Sequence, residues 1–241
     1  MPSSFDIPTQ SLAAPGARLA LGPAGLDGFL GGGLRRGALH EVFGPAGHEA
    51  AATGFALGLA CRLGGARPLL WIRQDFSARE FGAPCATGLK DFGIDPARLL
   101  LLHAASAEEA LRAAGDGLRC GALGGVIIEL AGTPKILDLT ASRRLVLASA
   151  QRQVPALLLR FNAPPEASAA ETRWLARAAA SARSDEDWGQ PVFDVSLIRN
   201  RQGRTGQWVV AWSCDDGCFK DQAAAFGAVV CPAGDRQAAA A

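Results

Sequence analysis

The sequence predicts an α/β fold: a mostly parallel sheet sandwiched by helices, with an antiparallel hairpin at its C-terminal end. Three observations carry this. Continuous apolar runs such as PLLWI (68–72), VIIEL (126–130) and ALLLRF (156–161) read as strands buried on both faces. Helix-length segments lie between them, and that alternation is what crossovers between parallel strands require. Near the end the pattern changes: VFDVSLIRN (192–200), a glycine-containing loop and WVVAWS (208–213) read as a hairpin.

The elements follow in chain order. Residues 1–18 are polar, with Pro2, Pro8 and Pro15, and residues 1–20 read as an arm without a core of its own. LDGFLGGGLRRG (26–37) is a short helix breaking into a glycine turn. ALHEVFG (38–44) is strand-like, and the Ala-rich stretch 49–63 is a helix made almost wholly of apolar or small residues. Leu99–Leu102 is a short apolar strand. Ser106-Ala-Glu-Glu109 has capping-box spacing and opens a helix whose apolar face includes Ala110, Leu111, Ala114 and Leu118. A helix spans about 138–151. Ser168-Ala-Ala-Glu171 is a second capping-box spacing, which predicts a helix around Trp174 with Arg173, Arg177 and Arg183 on it. Residues 214–241 read as a flexible tail after one core domain over 21–213.

Composition narrows the function. The chain has 241 residues, with 24 Lys and Arg against 23 Asp and Glu, for a net charge of +1. No bulk cationic field draws it to nucleic acid, so any such contact rests on a local patch. Only three of the basic residues are lysines (Lys90, Lys135, Lys220), and none precedes residue 90. Mechanisms that need a lysine in the first third of the chain are thereby excluded. The N-terminus has neither a basic n-region nor an apolar h-region, which predicts a cytoplasmic protein with no membrane segment. Four of the six cysteines are widely spaced beside apolar residues and read as reduced, buried thiols. Cys214, Cys218 and Cys231 do not match zinc-knuckle spacing and have no nearby His, so no metal is expected.

The strand, loop and helix over 38–60 have the layout of a phosphate-binding loop, in which backbone N–H groups and a helix N-terminus cradle phosphates. That chemistry requires G-x-x-x-x-G-K-[ST]. From Gly44 the chain reads Gly-Pro-Ala-Gly-His-Glu-Ala-Ala: Gly47 and His48 precede Glu49 at the second glycine, Ala50 at the lysine and Ala51 at the magnesium-binding hydroxyl. Each charge-assisted hydrogen bond lost is worth roughly 1.5–3 kcal/mol. A carboxylate about 4 Å from a phosphate charge adds roughly 4 kcal/mol of repulsion at an effective dielectric near 20. Thr53 lies two residues too late to replace the hydroxyl. The loop is expected to keep the layout and to have lost ATP and Mg binding.

Those residues carry a resemblance. LDGFLGGGLRRG followed by ALHEVFGP resembles the entry to the RecA-type ATPase core, and the likeness continues through PLLWIRQD (68–75), GIDPARLLLL (93–102) and EEALRAAGDGLRCGALGGVIIEL (108–130). It covers about residues 21–161. Within that superfamily the chain is similar to the ImuA family, RecA-like accessory proteins of SOS mutagenesis cassettes that are loosely related to the division inhibitor SulA. The matching features are GPAGHEAA, DLTASRRL (138–145), SAAETRW (168–174) and LIRNRQGRTGQW (197–208). The resemblance places Asp75 where RecA-type ATPases hold the water-activating carboxylate, and Glu129 where they hold the Asp that helps bind Mg²⁺. From the residues alone, both are expected to cap strand ends facing solvent.

The resemblance implies a non-catalytic adaptor in SOS-induced error-prone translesion DNA synthesis. Its partners would be ImuB, RecA and, through ImuB, an error-prone polymerase III alpha-type subunit, with nucleoid association during DNA damage. The rivals are an atypical nucleotide-binding ATPase, using an arginine or a neighbour's lysine, and a SulA-like division inhibitor. Arg199, Arg201 and Arg204 gather in sequence around the hairpin loop and are the candidate DNA contacts, Arg35-Arg36 and Arg143-Arg144 being weaker doublets. Phe5 and Ile7 are candidate anchors of an N-terminal arm, and residues 168–241, with Trp174, Arg173 and Arg177, are the candidate partner-binding region.

Overall fold

The structure is a computed structural model, and it describes residues 16–181 and 189–222. Two short strands, β1 (Arg18–Leu19) and β2 (Leu34–Arg35), flank helix α1 (Ala24–Phe29) and pair antiparallel with one another. The main body then runs β3 (Leu39–Gly44), α2 (Glu49–Gly64), β4 (Leu69–Gln74), α3 (Asp75–Phe81), α4 (Ala86–Asp91) and β5 (Leu99–Ala104). It continues with α5 (Ala107–Arg119), β6 (Gly125–Ala131), α6 (Leu139–Arg152) and β7 (Ala156–Phe161). Four strands close it: β8 (Thr172–Ala178), β9 (Val192–Asn200), β10 (Gly206–Ser213) and β11 (Cys218–Asp221).

These form one nine-stranded sheet in the order β11-β10-β9-β8-β3-β7-β6-β4-β5. The six strands from β8 to β5 are parallel, and β9, β10 and β11 add antiparallel beyond β8. β3 and β7, near the centre, are buried at every position, so their apolar runs cover both faces. Two cores result. One lies under α2 and holds Phe55, Trp71, Trp174, Phe193, Trp212 and Phe219; the other lies under α5 and α6.

Helix α2 shows how close that first core is. A Cβ at Gly54 would stand 3.0 Å from the Phe92 ring, and one at Gly58 would stand 2.5 Å from Phe219. Two glycines inside a helix cost about 0.5–1 kcal/mol each against alanine. Here they let the aromatic rings of Phe92, at the end of α4, and Phe219, on β11, reach the helix backbone. Helix α5 is capped as its sequence specifies: the Ser106 hydroxyl accepts from the Glu109 N–H, and the Glu109 carboxylate accepts from the Ala105 N–H. α6 is capped by Asp138, which accepts from the Ala141 N–H.

Four expectations need correction. The helix around Trp174 is the strand β8. Thr172, Trp174 and Ala176 are buried with a period of two, and the Glu171 N–H donates to the Leu39 carbonyl at the edge of β3. Pairing with β3 overrides the capping-box spacing, and the Glu171 side chain lies 3.7 Å from Arg18 and 3.5 Å from Arg35 instead. The tail is ordered at its start, because β11 pairs with β10 and buries Phe219. Likewise the arm's last residues, Arg18 and Leu19, pair with β2. Finally, Cys85 and Cys120 are exposed and Cys61 half-buried, rather than in the core. Phe5, Ile7, Arg183 and Cys231 lie outside the described residues.

Candidate functional site

In an open parallel sheet the ligand crevice lies beyond the C-terminal ends of the strands, where the chain's direction of crossover reverses. β3 occupies that position, with the β7 side of the sheet on one flank and β8 on the other. Its C-terminal loop, Gly44 to His48, is therefore where a phosphate-binding loop would stand. The loop closes on itself. The His48 N–H donates to the Pro45 carbonyl at 2.9 Å, Gly47 supplies the positive φ of 82° for the turn, and α2 begins at once with Glu49. A Cβ at Gly44 would lie 2.8 Å from that of Ala52, so the loop packs tightly onto the helix.

The side chains around it are occupied in the same way. His48 Nδ1 accepts from the Ala178 N–H at 3.1 Å, which pins the ring to the end of β8. The Thr53 hydroxyl donates back to the Glu49 carbonyl at 2.9 Å. Glu49 itself sits in the first turn of α2, where the helix dipole favours an anion, so the chain places its own carboxylate where a phosphate would profit. Ala50 and Ala51 add no polar group.

Glu129 does not face solvent as expected. It is 1% exposed and stands directly across from Arg73 in the β4–β6 register. Arg73 Nε donates to one carboxylate oxygen at 2.9 Å and Nη2 to the other at 3.0 Å, a bidentate pair, and the Trp71 indole N–H donates to the same carboxylate at 3.0 Å. Two further Arg73 N–H groups donate to the Gly82 and Ser77 carbonyls. Both charges are thereby spent on each other and on backbone, leaving neither a carboxylate to attract a cation nor a guanidinium to receive an anion. Arg73 also lies 5.3 Å above the Trp71 ring. Asp75 begins α3 and is half-buried.

A cavity of about 430 Å³ adjoins the loop, lined by Glu49, Thr53, Leu57, Trp71, Phe81 and Phe161 among others. Its walls are mostly apolar and aromatic, with Glu49 and Thr53 as polar exceptions, and its cation, Arg73, is the one consumed by Glu129.

A second ionic group lies on the opposite face of the sheet. Glu41 on β3 faces Arg173 on β8 across the register, with their charges 3.2 Å apart, and Arg160 on β7 lies over the Phe43 ring. Burial raises the Glu41 carboxyl above its usual range, an effect the Ser168 hydroxyl and the Arg173 charge partly oppose. Burial also pulls Arg160 and Arg173 below the usual guanidinium range. Glu41 Oε2, Arg173 Nε and Arg160 Nε have no hydrogen-bond partner, so the close approach lacks bonding geometry.

The three hairpin arginines do not converge. Arg199 pairs in register with Arg173 beside the Glu41 group, Arg204 stacks 4.7 Å over Phe29, and Arg201 is exposed with its backbone N–H on the Glu171 carbonyl. Of the expected partner-binding residues, Trp174 is fully buried, Arg173 is buried, and Arg177 is half-buried. Arg73 is the residue that sequence reading missed. The available signal was a lone cation inside one apolar strand and a lone acid inside another, a combination that tends to pair when both are buried.

The fold and site define an α/β chain with a loop-to-helix junction at its sheet crevice and a self-neutralised charge pair beneath it. No family model and no curated protein sequence matches the chain. Among the described residues no helix is long and apolar enough to cross a membrane, and no group of three or more His, Cys, Asp or Glu is placed to hold a metal.

Proposed function

We propose that this chain is a non-catalytic, RecA-like adaptor of SOS-induced translesion DNA synthesis that binds ImuB and RecA. The observation that carries the non-catalytic part is the bidentate Arg73–Glu129 pair beside a loop that closes on its own carbonyl. A RecA-type ATPase needs a free cation and a free carboxylate at that junction, and here Arg73 and Glu129, the buried pair there, are bonded to one another. The adaptor part rests on the family resemblance of the motifs over residues 21–208. In this reading the inherited core surface docks at a RecA protomer or filament end, and the chain lacks the nucleotide switch that drives filament cycling. Pull-down of purified ImuB and RecA by the purified chain tests it: retention of both is expected, and retention of neither would sink the reading.

The cavity beside the loop favours one alternative, residual nucleotide binding without hydrolysis. Thermal-shift titration with Mg-ATP separates the two. A clear upward shift at submillimolar nucleotide replaces the adaptor-only account.

A further inference from the structure

The motif DLTASRRL (138–145) forms the cap and first half of α6, and neither the crevice nor the hairpin uses it. α6 buries Leu145 and Ala148 against the sheet and leaves large apolar side chains on its outer side. Leu139 is 38% and Leu147 70% exposed, eight residues apart and therefore on one stripe, with Arg143 between them. Ile136, 44% exposed, precedes the helix at the same end. Beside this stripe runs a groove of about 510 Å³ between α5 and α6, with Leu111 and Gly115 on one wall and Ile136, Arg144 and Ala148 on the other.

The charges of the two walls differ. On α5, Arg112 pairs with Glu108 and Arg119 with Asp116. α6 contains no acid at all, and its neighbour Asp138 is committed to the Ala141 N–H. Lys135, Arg143, Arg144 and Arg152 form no ion pair among the described residues. The face thus offers apolar anchors at helical spacing together with cations that nothing in the described chain neutralises.

We infer that the α5–α6 groove and the outward stripe of α6 form a docking surface for an acidic amphipathic helix of a protein partner. Such a helix lays its apolar i, i+3, i+4, i+7 residues along the groove and sets its carboxylates against Arg143 and Arg144. A nucleic-acid backbone satisfies the arginines but leaves Leu139 and Leu147 facing a polyanion, so the apolar stripe selects protein. The surface carries this whether or not the chain binds ImuB, and the residues that line it fall outside the 168–241 region that sequence alone singles out.

The test is fluorescence anisotropy of the full chain with a labelled helical peptide of about twenty residues, leucine on one stripe and glutamate elsewhere. Controls are the same composition scrambled, the same peptide with lysine for glutamate, and a single-stranded oligonucleotide. Saturable binding of the acidic peptide alone is expected. It should weaken about tenfold or more in Leu147→Ser and in Arg143→Glu/Arg144→Glu, with the melting curves of both variants unchanged. Four results overturn the inference. Failure of the acidic peptide to bind, or binding indifferent to these substitutions, removes the site. Tighter oligonucleotide binding lost in Arg143→Glu/Arg144→Glu assigns the face to nucleic acid. A concentration-dependent dimer, seen by light scattering and dissolved by Leu147→Ser, assigns it to a second copy.

Discussion

Two charged groups are buried in one sheet, and they are built on different terms. Arg73 and Glu129, on the face under α2, satisfy both carboxylate oxygens with bonds of 2.9–3.0 Å, and Arg73 donates further to two backbone carbonyls. Glu41, Arg160 and Arg173, on the other face, are close in charge but leave three buried polar atoms without hydrogen bonds. The first group is a closed pair that fixes the crevice. The second carries more buried cations than anions and holds Glu41 with a raised pKa. Burial alone does not decide what an ion pair does; the completeness of its hydrogen bonding does.

Breaking the closed pair gives the largest expected effect. Arg73→Met leaves Glu129 buried without its cation and should cost about 3–5 kcal/mol in urea unfolding. Arg73→Met with Glu129→Leu should recover most of that, because the uncompensated charge is then absent. If the single and double variants are equally destabilised, the pair is not the closed unit described.

His40 and Glu41 sharpen the contrast, since adjacent strand residues point to opposite faces. The His40 ring is fully buried between Thr172 and the Arg35 carbonyl, and burial lowers its pKa to about 4. The unfolded chain takes up that proton first, so stability is lost as pH falls from about 6.5 towards 4, by roughly 3 kcal/mol in all. His40→Gln should remove this slope in denaturation measured across that range. Glu41 has the opposite sign. Its folded pKa is raised, so stability is full below 4.5 and declines as pH climbs through the folded value. The stability of wild type relative to Glu41→Gln should therefore fall on going from pH 4 to 7. A rise would contradict the burial argument.

The hairpin should give the smallest effect. Arg201→Glu is expected to change stability by no more than about 0.5 kcal/mol, because the side chain is exposed and makes no ion pair among the described residues. Arg204→Glu removes the stacking on Phe29 and should cost slightly more. Both are read by thermal melts, and a drop in oligonucleotide affinity in either variant places DNA contact at this loop.

Much of the sheet was legible from sequence because its strands are unbroken apolar runs and its helices α5 and α6 carry their own caps. Segment 168–178 was not, since Ser168 and Glu171 mimic a capping box while the alternation of Thr172, Trp174 and Ala176 extends only a few residues. Its strand state is decided by β3, far away in sequence. The site was half legible. The lost phosphate-loop positions at Glu49, Ala50 and Ala51 are plain in the sequence, but the fate of Glu129 depends on a register that sets it opposite Arg73. Composition also says nothing of how Arg199 and Arg204 part to different neighbours.

The central claim is that the cation lining the crevice, Arg73, is spent on Glu129. Equilibrium titration of the chain with a fluorescent ATP analogue and Mg²⁺ tests it most directly. The account predicts no saturable binding up to about 1 mM, where less than roughly 4 kcal/mol of affinity remains. Saturation at submillimolar analogue, displaced by unlabelled ATP, would contradict it.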